Sequence, residues 1–131
     1  PVASAEAERA AIARAIGTFE TIIGKKNGTA DERAGTYIQL GDTQHDCHDE
    51  SINTTIYLDL LVQKKLLRFH EVGTPQGRFP ILARGLGPHQ TAVITEKASS
   101  ERYAVDSWFH DNGVPAEVIP FQSWFYGWRP E

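Results

Sequence analysis

Methionine is absent from this 131-residue chain, and cysteine occurs once, at Cys47. A single thiol forms no internal disulfide, so the usual inference from paired cysteines to an oxidising compartment has nothing to act on. Long hydrophobic runs are missing too. Charge interrupts the longest candidates within about five residues, far short of the roughly 18 to 20 that a membrane-spanning helix needs. A soluble chain with no membrane span is expected. Positive charge is scarce, with 13 Lys and Arg against 17 Asp and Glu and a formal net charge of −4. That balance offers no surface for tracking phosphates, and nucleic acid is excluded as an expected partner. The chain starts at Pro1, which with the missing methionine suits a removed export signal. A periplasmic or secreted protein is the expectation, and a cytoplasmic one the alternative.

What is present suffices for one modest core: 40% of the residues are hydrophobic, enough for a single domain over 1–131. Ser4 can cap a helix in which Ile12, Ile16, Phe19 and Ile23 recur at helical spacing, predicting an amphipathic helix from Ala5 to Ile23. Gly24 ends it, and "GKKNGTADERAG" supplies a polar loop before the short extended run "TYIQLGD". A second helix begins near Asp46. Its acids lie at the front and Lys64 and Lys65 at the back, and Ile52, Ile56, Leu60 and Leu61 form the expected apolar stripe. Beyond it, "LLRFHEV", "RFPILAR", "HQTAVITE", "RYAVDSWF" and "AEVIPF" alternate with "GTPQG", "GLGP", "KASS" and "DNGVP". These read as four or five strands joined by hairpins. Helices first and strands second is the α+β pattern: N-terminal helices, one with Cys47 at its N-terminus, packed on an antiparallel sheet of four to five strands. The tail "QSWFYGWRPE" is aromatic enough to fold back as a short turn or helix.

Cys47 sits in "HDCHDESINTTIYLDLL", at a helix first turn, where unpaired backbone N–H groups favour a thiolate. Asp46, Asp49 and Glu50 oppose that effect unless a cation lies closer. A thiol nucleophile also needs a base and a group to orient the base. His89 heads one predicted strand and Asp106 lies inside the next. With Lys97 to Ser100 as the loop, Asp106 stands opposite Thr91 on the face of His89; a tighter loop sets it directly opposite His89. In either register the carboxylate reaches the imidazole. It would fix the tautomer and support the imidazolium that forms when the other ring nitrogen takes the thiol proton. Asp106 is informative because a strand interior disfavours Asp, and a buried carboxylate needs a partner.

Plainer readings compete. A lone cysteine is commonly a small buried residue. His45, Cys47 and His48 with His70 or His110 offer metal ligands, although their spacing fits no standard zinc pattern. Trp108, Trp124 and Trp128 are assigned to core and rim packing, with Trp108 also a candidate wall of a cleft. Asn53, Thr54 and Thr55 lie one to two turns past Cys47 and are candidates for buried hydrogen bonds to the sheet.

The order Cys, then His heading a strand, then Asp in the following strand resembles the transglutaminase-like branch of the papain-like cysteine hydrolases. Within it, "DCHD" resembles the bacterial transglutaminase-like cysteine proteinases. The resemblance spans Gly41 to Phe109. It implies a papain-like core, with Cys47 as nucleophile, His89 as base and later acid, and Asp106 as orienting group. The activity implied is a cysteine-dependent amide hydrolase (thiol protease) or acyl transferase acting through a thioester on a peptide or protein. The upstream oxyanion residue has no clear match; Gln44, Gln39 and the Cys47 backbone N–H are the available donors. No cofactor is required, although some relatives of this kind depend on calcium, for which Asp42, Asp46, Asp49 and Glu50 offer oxygens. The chain is small and carries no obvious specificity insertion. Its rivals are a non-catalytic binding or effector domain of the same fold and a His/Cys metal-binding protein.

Overall fold

The computed structural model describes residues 2–27, 47–78, 89–110 and 113–130, save the side chains of residues 24–27, 47 and 48. Ser4 Oγ accepts from the Ala7 amide at 3.1 Å and opens α1, Ala5–Asn27. Glu8, Ile12 and Ile16 recur along one side of this helix and are buried. Gly17 belongs to the same contact, because a Cβ there would come within 2.9 Å of the Gly113 carbonyl oxygen. Helix α2, Cys47–Gln63, ends with Leu66 N–H on Leu61 O and Lys65 N–H on Val62 O, both at 2.9 Å. Lys65 takes the left-handed conformation this stop requires, at φ 57°.

Among the described residues five antiparallel strands follow: β1 His70–Val72, β2 Gln76–Arg78, β3 His89–Glu96, β4 Arg102–Asp106 and β5 Glu117–Pro120. The long strand β3 is the organiser. One of its edges pairs with β1 from His70↔Glu96 to Val72↔Ile94 and with β2 from Gln76↔Thr91 to Arg78↔His89. Its other edge pairs with β4, which pairs with β5. Helix α3, Phe121–Phe125, continues directly from β5.

Period-two alternation divides the strand residues between two layers. Ala92, Ile94, Tyr103 and Val105 meet Ile12 and Ile16 of α1 and Leu58 and Leu61 of α2. Val93 and Ala104 point the other way, onto Phe121 and Trp124 of the C-terminal segment. The molecule is therefore α+β, and its described residues place two long helices on one face of the sheet and a short helix on the other. No helix among the described residues is long and apolar enough to cross a membrane.

Three expectations change. Of the apolar stripe expected on α2 only Leu61 is buried, since Ile52, Ile56 and Leu60 are 40%, 50% and 39% exposed. Besides Leu61 the helix buries Ser51, Leu58 and Thr54, the last an expected buried hydroxyl, because its first turns meet polar strand ends where hydroxyls find partners. The first strand is confined to His70–Val72, and the "GTPQG" segment contributes Gln76 and Gly77 to β2 rather than a turn. The spatial neighbour of β1 is β3 and not the next strand in sequence. The remainder of "RFPILAR" after Arg78 lies outside the described residues.

Candidate active site

The β3–β4 hairpin sets the site. Its register runs from Thr95↔Arg102 to Ala92↔Val105, and the next step places Asp106 across from Thr91. The intervening residues close with Ser100 N–H on Glu96 O at 2.8 Å, Ser100 itself at φ 62°. His89 lies two residues before Thr91, on the same face of the sheet. Its Nε2–H donates to Asp106 Oδ2 at 2.7 Å. Both residues are buried, at 3% and 2% exposure. The Trp124 indole N–H donates to the same Oδ2 at 2.7 Å, and the Trp108 amide to Oδ1 at 3.0 Å. Three donors thus surround a carboxylate that would otherwise be costly to bury.

Because Nε2–H donates to the Asp106 carboxylate, in the neutral ring Nδ1 holds the lone pair and is the nitrogen able to accept a proton. Aromatic rings fix the imidazole plane: Trp108, Phe109 and Trp124 have centroids 4.5, 5.3 and 5.7 Å from that of His89. Arg78, the pairing partner of His89 on β2, is 2% exposed and donates through Nη1 to Trp124 O at 2.5 Å and Trp128 O at 3.0 Å.

Helix α2 is bonded to this same end of the sheet. Ser51 Oγ donates to Gln90 Oε1 at 3.3 Å, Ser107 Oγ donates to Glu50 Oε2 at 3.4 Å, and Thr54 and Ser107 hydroxyls lie 3.4 Å apart. Gln90 directly follows His89, and Ser107 directly follows Asp106. Cys47 is the first residue of α2 and lies one turn upstream of Glu50 and Ser51. A crevice at this junction is lined by Glu50, Ser51, Thr54, Gln90, Asp106 and Trp108, among others.

Of the residues expected from sequence, the structure brings His89 and Asp106 into direct contact and starts α2 at Cys47. The Cys47 and His48 side chains lie outside the described residues, as do Gln39, Asp42, Gln44, His45 and Asp46. Asp49 is exposed and Glu50 accepts from Ser107. His70 bonds Glu8 at 2.8 Å and His110 bonds Glu117 at 2.7 Å. Among the described residues no three His, Cys, Asp or Glu are grouped to hold a metal ion. Trp124 and Arg78 are the site residues that sequence reasoning missed. The aromatic density of "QSWFYGWRPE" signalled that the tail packs, but nothing in it indicated an indole aimed at Asp106.

Compared with protein-family models, curated proteins and solved structures, the chain matches none.

Proposed function

We propose that the chain is a cysteine-dependent amide hydrolase or acyl transferase on a papain-like, transglutaminase-like core, with Cys47 as nucleophile, His89 as base and Asp106 as orienting group. The observation that carries this reading is the buried His89–Asp106 bond at the strand ends to which the first turns of α2 are fastened. That fastening ties the first turns of α2, the helix that starts at Cys47, to the strand ends that carry His89 and Asp106. In the reaction, Nδ1 of His89 takes the Cys47 proton and the sulfur attacks a substrate carbonyl. The amine then leaves with the proton from Nδ1, giving a thioester. Water or an acceptor amine loses its proton to Nδ1, attacks the thioester carbon and releases the thiol. Peptidase, amidase and acyl transferase share the first half, and the acceptor admitted decides between them.

The test is the alkylation rate of Cys47 by iodoacetamide at about pH 6, where an unassisted thiol is almost wholly protonated. The reading requires a rate at least about tenfold above free cysteine, and a fall to the free-cysteine level in His89→Ala. A second reading, a binding domain that keeps the fold with an idle pair, draws on the 3% exposure of His89 beneath its aromatic neighbours. It is favoured if wild type and His89→Ala both react like free cysteine.

A further inference from the structure

Trp124 is outside the sheet and yet fully buried, and a buried indole N–H needs an acceptor. Backbone carbonyls are the ordinary choice. Here the acceptor is the Asp106 oxygen that also receives His89 Nε2, both at 2.7 Å. With the Trp108 amide on the other oxygen, the carboxylate is held by a strand residue, a backbone amide and the C-terminal helix, so its rotation about Cβ–Cγ is fixed from three sides. The helix end that delivers the indole is fixed as well. Arg78 reaches across from the rung of His89, donates to the Trp124 and Trp128 carbonyls, and lays its guanidinium 4.8 Å from the Trp124 ring centre. Gly127, at φ 102°, lets the chain turn so that the Trp128 carbonyl comes to the same cation.

We propose that Trp124 is a positioning residue for the His89–Asp106 pair, and that Arg78 holds in place the C-terminal turn that carries it. The indole shares Oδ2 with the imidazole. It therefore sets both the direction of the carboxylate and the negative charge that His89 experiences. The consequence for Cys47 rests on the hydrolase reading above; the effect on His89 does not.

Titration of the His89 ring by NMR in wild type and Trp124→Phe tests this directly. Removing the N–H leaves more charge on the oxygen facing His89, so its titration midpoint rises by roughly half a unit to one unit. The other charged groups around the pair, Arg78 on β2, Glu50 on α2, Glu117 on β5 and His110 beyond β4, are the same in both proteins. Benzothienylalanine placed at position 124 alone keeps the bicyclic shape without the N–H, and decides the matter if the Phe variant does not fold. An unmoved midpoint in that protein reduces Trp124 to packing and overturns the proposal. In Arg78→Lys the Trp124 indole N–H resonance shifts from its wild-type position, and an unshifted resonance removes Arg78 from the device. Cys47 alkylation separates the two claims. A shifted midpoint with a thiol no more reactive than free cysteine sinks the hydrolase and leaves the positioning role. A reactive wild type matched in rate and midpoint by the benzothienyl protein sinks the positioning role alone.

Discussion

Asp106 has only acceptor atoms to offer while ionised, and its three neighbours offer only N–H groups, so every bond in the cluster runs toward it. That one-way arrangement assigns the imidazole proton to Nε2 and the lone pair to Nδ1. An asparagine at this position reverses the logic although its shape is nearly the same. Its amide can turn an N–H toward Nε2, which then accepts, and the proton moves to Nδ1, the atom the proposed reaction needs bare. Asp106→Asn is therefore expected to keep the fold and to lower the second-order rate of Cys47 alkylation near neutral pH by about tenfold, to near the free-cysteine level. Matching rates in wild type and variant, measured with melting temperatures that agree to within a few degrees, would disprove the orienting role.

Between residue and molecule lie the contacts that place the helices. Gly17 is in the interior of α1, where helix propensity alone says that alanine would stabilise by about 1 kcal/mol. Packing says the reverse, because the new Cβ would lie 2.9 Å from Gly113 O, 3.0 Å from Pro115 N and 3.0 Å from Val114 C. These are backbone atoms of the segment leading into β5 and cannot swing aside like a side-chain tip. Overpacking of this kind costs about 1 to 3 kcal/mol, so the expected net effect of Gly17→Ala is a loss of stability and a fall of a few degrees in melting temperature. A rise would show that the segment yields. The same distinction between local preference and tertiary contact explains what could be read in advance. Strand β3 was legible to its end residues, and the position of Asp106 across from Thr91 follows from the length of the "KASS" loop. Local chain chemistry sets both. The buried face of α2 was not legible from its hydrophobic spacing, because Ser51 and Thr54 are buried by partners on β3 and just after β4, distant in sequence. Trp124 and Arg78 escaped for the same reason: their meaning lies in where α3 and β2 fall relative to β3, which no local pattern encodes.

On the scale of the whole molecule, a second buried polar cluster joins the first helix to the sheet. Glu8, 1% exposed, accepts from the Arg68 amide at 2.7 Å, the Phe69 amide at 2.9 Å and His70 Nδ1 at 2.8 Å. Arg9 then bonds Glu96 at 2.9 Å and covers the ring of Tyr103, so α1, β1, β3 and β4 share one network. Burial by itself pushes the Glu8 carboxyl up, but the bonds from His70 and from the two backbone amides outweigh it and hold the group below its ordinary value of 4.5. The sign of the linkage follows. A carboxyl held lower in the folded than in the unfolded chain contributes its full stabilisation above the unfolded value and loses it as pH falls through the folded one. Glu8→Gln keeps the size of the side chain and removes the charge, at an expected cost of about 1 to 3 kcal/mol near neutral pH. In urea unfolding followed from pH 7 downward, the gap between wild type and variant should stay constant to about pH 5 and then narrow as the wild-type carboxyl protonates. A gap that holds its size down to pH 2 would mean that the cluster acts by shape alone.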